Sequence, residues 1–166
     1  MKQEHRFVAE LFGYLKPFVA TDHPVFISLD GEAAKKGVRS GLFDDADVPD
    51  LWFTIVGCAN PTLIEAKIIG GNRRMQLGRT QLHRWRTGGG SAHAPHGWVA
   101  ANEELNQFLY WSHDNFLPKM DASQSTTRYS SIGIPNDAIV FPSIPELALH
   151  VLKCHCGIDR HSQNAG

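Results

Sequence analysis

Leu63-Ile64-Glu65-Ala66-Lys67-Ile68-Ile69 is an apolar run interrupted by an acid and a base two positions apart. Its length and its Ile content read as a buried strand. An ionised group taken out of water loses several kcal/mol of solvation unless a partner compensates it, so Glu65 and Lys67 are costly there. Strand side chains alternate between faces, which puts Leu63, Glu65 and Lys67 on one face and Ile64, Ala66 and Ile68 on the other. Fourteen residues earlier, Pro49-Asp50 heads a second apolar run, Leu51 to Val56. If Gly57-Cys58 is a two-residue hairpin turn, Asp50 lies opposite Glu65. Asn60-Pro61 is also a turn signal, and a longer loop over residues 57–61 with a bulge satisfies it equally. Either connection brings two carboxylates and an ammonium together on a sheet, an arrangement that holds a divalent cation with a positive charge beside it.

Pro49-Asp50 followed by Glu65-x-Lys67 resembles the PD-(D/E)XK nuclease superfamily, which includes restriction endonucleases, Holliday-junction resolvases and the phage nucleases called VRR-NUC. The resemblance runs from about residue 4 to about residue 113. It implies a restriction-endonuclease-like, three-layer α/β fold, with a mixed central sheet of about five strands flanked by helices on both faces. It implies a Mg²⁺- or Mn²⁺-dependent phosphodiesterase acting on DNA, held as a homodimer, with a repair, recombination or phage role. Asp50, Glu65 and the carbonyl of Ala66 would be the metal ligands, and Lys67 the residue that orients the attacking water. The family carries an acid on its first helix. Periodicity selects Glu4 over Glu10, because Glu4 shares the stripe of Phe7, Val8 and Leu11. The family also has a Gln-x-x-x-Tyr-like element, for which Gln81-Leu82-His83-Arg84-Trp85 is a Trp version, with Gln76 the competitor to Gln81. The alternative reading is a nucleic-acid-binding or assembly protein that keeps this fold without activity.

The charge distribution agrees. Net charge is −1, yet no acid occurs between Ile68 and Asn102, where Arg73, Arg74, Arg79, Arg84, Arg86 and three histidines fall. A positive strip after an acidic metal-type site suits a phosphate backbone. Lys35 and Lys36, in the polar loop from Asp30 to Val38, are further phosphate contacts.

Along the chain, residues 3–16 read as a helix stopped by Pro17. Strands are expected at Val25–Leu29, 51–56, 62–69, 97–101 and 108–111, with a last short one at 138–141. Asn72 to Trp85 reads as a helix, through Met75, Leu77, Leu82 and Trp85. Residues 121–131 read as a polar loop, and Ser143-Ile144-Pro145-Glu146 as a capping box opening a final helix. Residues 1–157 make one domain and 158–166 a polar tail.

The 42% hydrophobic and 20% charged content is that of a globular chain. No apolar run reaches the length of a membrane span, and Glu4 interrupts any secretory leader. Cys58, Cys154 and Cys156 are too few for a disulfide framework, so reduced thiols and a cytoplasmic setting are expected. Cys154-His155-Cys156 with His161 lacks the spacing of a structural zinc site.

Overall fold

The computed structural model describes residues 3–27, 49–78, 85, 94–113 and 128–155. Helix α1 (Gln3–Leu15) presents Phe7, Val8, Leu11 and Leu15 as one buried stripe. Pro17 ends it, and a single 3₁₀ turn (Lys16–Phe18) follows. The strands are β1 (Phe26–Ile27), β2 (Leu51–Phe53), β3 (Thr62–Ile68), β4 (Arg74–Gly78), β5 (Gly97–Asn102), β6 (Gln107–Ser112), β7 (Tyr129–Gly133) and β8 (Ile139–Phe141). Helix α2 (Ile144–His155) closes the described chain. Its Ser143 Oγ accepts a hydrogen bond from the Glu146 amide, the helix-opening contact expected of Ser143.

Six strands form one mixed sheet in the order β1-β2-β3-β5-β6-β8, and β4 and β7 pair separately as a two-stranded ribbon. Strands β1, β2 and β3 are antiparallel neighbours, β3 and β5 run parallel, and β6 and β8 complete the sheet antiparallel. The α/β class is as expected, with more strands than the sequence indicated.

Each face of β3 is covered differently. Ile64 and Ala66, with Val99 and Ala101 of β5, pack against α1 and α2. On the reverse, Trp98, Ala100, Leu109 and Trp111 pack against Met75, Leu77, Ile132 and Trp85. Helices α1 and α2 therefore share one face, and the β4–β7 ribbon, with the helical residue Trp85, covers the other.

That ribbon corrects the first part of the helix expected over Asn72 to Trp85: residues 74–78 form a strand, while Trp85 is helical. Met75 and Leu77 are buried while Arg74 and Gln76 are not, which is the period of a strand. The chain enters β4 through a tight turn that also forbids the helix. Arg73 has φ +61°, its amide donates to the Gly70 carbonyl, and the Asn72 side chain accepts from the Arg74 amide. The last three residues of the expected polar loop, 129–131, belong to β7. Ser130 and Ser131 are buried despite their polarity, because they face β4 and the reverse of the sheet.

The β2–β3 register pairs Leu51 with Ile64, Trp52 with Leu63 and Phe53 with Thr62, so Asp50 and Glu65 are the next pair outward. The two-residue turn is not what sets it. Ile55 leaves the hairpin to bridge Val19, and the Cys58 amide turns back onto the Ile55 carbonyl. Cys58 is disulfide-bonded, contrary to the expectation of reduced cysteines, and Cys154 remains an exposed thiol.

Candidate active site

The β2–β3 ladder stops at Leu51 and Ile64, leaving the Ala66 amide on the β2 edge of β3 with no ladder partner. Asp50 supplies one: its Oδ2 accepts the Ala66 N–H at 3.0 Å. A strand residue projects its N–H and C=O to the same side, so the Ala66 carbonyl lies on the edge that Asp50 occupies.

Glu65 and Lys67 share the reverse face of β3 and are both buried, at 3% and 8% exposure. Lys67 Nζ lies 3.9 Å from Glu65 Oε1. The other oxygen, Glu65 Oε2, is buried without a hydrogen-bond partner. Burial first, and then the negative charge of Asp50, push the Glu65 carboxyl well above the usual carboxylate range, with Lys67 only partly opposing them. For Lys67 burial is also the largest influence and works against its charge. The carboxylates of Glu65, Glu4 and Asp50, with Tyr129 adding a little, outweigh it and hold the ammonium above the usual lysine value.

A cavity of about 540 Å³ opens beside this cluster, walled by Glu4, Lys67, Asn72, Arg74, Gln76 and Ser131 among others. Glu4 reaches it from the first turn of α1, whereas Glu10 is exposed. Arg74 is braced across it: Nε donates to Ser131 Oγ at 2.6 Å and a terminal nitrogen donates to the Ser131 carbonyl at 2.9 Å.

Asp50, Glu65, Lys67 and Glu4 thus converge, with Arg74 at the rim. Arg73 is exposed on the turn before β4 and is not on the cavity wall. Gln81, Arg79, Arg84, Lys35 and Lys36 lie outside the described residues. Ser131 and Tyr129 are the positions that sequence reasoning passed over, while Gln76, the competitor to Gln81, lines the cavity. The alternation of Met75 and Leu77 was the signal for the ribbon that carries them.

The donor set fits a hard cation. Two carboxylates and a backbone carbonyl offer the oxygen atoms that such an ion takes. Among the described residues no three Asp, Glu, His or Cys side chains cluster closely enough to hold an ion by themselves. An ion here would complete its shell with waters, as Mg²⁺ does.

A second polar pocket, about 510 Å³, lies at the opposite end of β5 and is lined by His96, Tyr110, Asp137, His150, Cys154 and His155 among others. Tyr110 Oη and His155 Nε2 are 2.7 Å apart, His150 Nε2 and Cys154 Sγ 3.2 Å, and His96 Nδ1 accepts the Leu63 amide. Burial, then His96 and His150, lower the His155 pKa to about 4, so its ring is neutral. Cys156 and His161, weighed with Cys154 and His155 as zinc ligands, lie outside the described residues.

No protein-family model, curated protein or solved structure matches this chain. Among the described residues no helix is long and apolar enough to cross a membrane.

Proposed function

We propose that this chain is a metal-dependent nuclease with a restriction-endonuclease-like fold, hydrolysing phosphodiester bonds in DNA. The observation that carries the reading is the Asp50–Glu65–Lys67 cluster at a strand edge, with Glu65 and Lys67 buried and Asp50 half-buried beside them.

In this reading Asp50, Glu65 and the Ala66 carbonyl hold Mg²⁺ or Mn²⁺. When bound, the ion supplies a water of lowered pKa and offsets charge on the scissile phosphate. Lys67, kept protonated by three carboxylates, orients the attacking water and stabilises charge developing on the phosphoryl oxygens. Glu4 orders water on the α1 side of the cavity. Arg74, held by Ser131, receives a backbone phosphate.

The test is a panel of labelled linear, circular, forked and four-way-junction DNA with Mg²⁺ and Mn²⁺, using wild type, Asp50→Ala and Lys67→Ala. Cleavage by wild type alone supports the reading. Mn²⁺ binding and DNA binding with no cleavage of any substrate would favour an inactive nucleic-acid-binding protein of the same fold.

A further inference from the structure

The β4–β7 ribbon has one apolar and one polar face. Met75, Leu77 and Ile132 go into the core, while Arg74, Gln76, Tyr129 and Ser131 alternate onto the other side. On that side the two largest side chains sit across from glycine: Tyr129 opposite Gly78 and Arg74 opposite Gly133. Neither is crowded by a cross-strand neighbour. Tyr129 is 43% exposed. The Arg128 guanidinium stands 5.9 Å from its centroid, and Arg74 is fixed at the other end of the same face. Arg74, Gln76 and Ser131 also wall the cavity that contains Lys67.

We propose that this polar face is a platform for single-stranded nucleic acid, with an unpaired base stacked on Tyr129 and the adjoining phosphates on Arg74 and Arg128. The proposal rests on the nuclease reading and adds to it the substrate class. An exposed ring with one guanidinium beside it and another farther along the same face is a combination that grips a strand without reading its sequence, since every base has a π face and every linkage a charge. In a duplex the bases are already stacked on each other and cannot reach the ring. The cavity, about 540 Å³, has the volume of a small-ligand site. Glu4 on its far wall repels phosphate and leaves Arg74 as the anion-receiving side.

The experiment is fluorescence anisotropy in EDTA with a labelled oligo-dT strand and a blunt duplex of equal length. It uses the full chain as wild type, Tyr129→Phe, Tyr129→Ala and Arg74→Gln, with circular dichroism confirming that each is folded. Wild type should prefer the single strand. Tyr129→Ala should weaken single-strand binding about tenfold or more with duplex binding unchanged, and Tyr129→Phe should stay near wild type. Arg74→Gln should weaken both and lower the salt dependence. Single-strand affinity unaltered in Tyr129→Ala, or equal loss on duplex, overturns the platform. Cleavage with Mn²⁺ is measured in parallel. A wild type that cuts while Tyr129→Ala keeps its strand preference refutes the platform and leaves the nuclease reading intact. A Tyr129-dependent strand preference without cleavage does the reverse.

Discussion

Two polar pockets flank the same sheet, and they are satisfied in different ways. Near the C-terminal end of β3, Asp50, Glu65, Lys67 and Glu4 gather three acids around one base, and a buried carboxylate oxygen stays without a partner. Near the N-terminal end of β5, the rings of Tyr110, His96, His150 and His155 hydrogen-bond within the protein, and burial lowers the His150 and His155 pKa values. The first pocket gathers more acids than bases, an excess that the proposed divalent cation would offset. Net charge imbalance, more than polarity or cavity size, separates a structural pocket from a candidate active one.

The sharpest way to break this comparison is Lys67→Ala. Cleavage should fall by at least about 10²–10³-fold, the usual loss of one electrostatic stabiliser, with Mn²⁺ binding retained by calorimetry. Asp50→Asn should abolish Mn²⁺ binding yet leave the melting temperature nearly unchanged, because an amide oxygen still accepts the Ala66 N–H. A large loss of stability in that variant would make Asp50 a structural residue.

Acidity gives the next effect. The folded state holds a proton on Glu65 that the unfolded chain, with the ordinary value of 4.5, releases. Its contribution to stability is therefore complete below 4.5 and is lost as pH rises through the elevated folded value. An ion binds the deprotonated form, so Mn²⁺ should rescue stability increasingly with pH, by about 2.7 kcal/mol at a hundredfold excess over Kd. Urea melts across pH, with and without Mn²⁺, measure both slopes. A rescue independent of pH would detach the ion from Glu65.

The histidine pocket should answer oppositely. A Cβ at position 97 would lie 2.8 Å from the Tyr110 ring and 2.9 Å from His155 Nε2. Both belong to packed elements, so Gly97→Ala should cost about 1–3 kcal/mol. Tyr110→Phe should cost about 1 kcal/mol and leave cleavage unchanged. His155 titrates near 4 against an ordinary 6.5, so its contribution is complete above 6.5 and is lost as pH falls through that interval. Loss of cleavage in Tyr110→Phe would connect the two pockets.

How far the sequence reached depends on whether local pattern or distant packing was decisive. The α1 stripe, the strand at Thr62–Ile68 and the helix after Ser143 follow from periodicity and capping, so they were legible. The Asp50–Glu65 register was legible too, although a longer connection than a two-residue turn delivers it. The stretch after Asn72 was not. Met75 and Leu77 fit helix and strand alike over so few residues, and the choice lay with β7, more than fifty positions away, which pairs with β4. The face that α1 and α2 share likewise depends on partners distant in the chain.

By itself, then, the sequence determined which groups carry charge in an apolar strand and which alternate toward the core, because both are properties of a few adjacent residues. The tertiary structure decided what surrounds them. It brought Glu4 in from α1 and set Arg74 on Ser131. Those relations depend on which surfaces pack together, and packing is chosen by the whole chain through the apolar area that it buries.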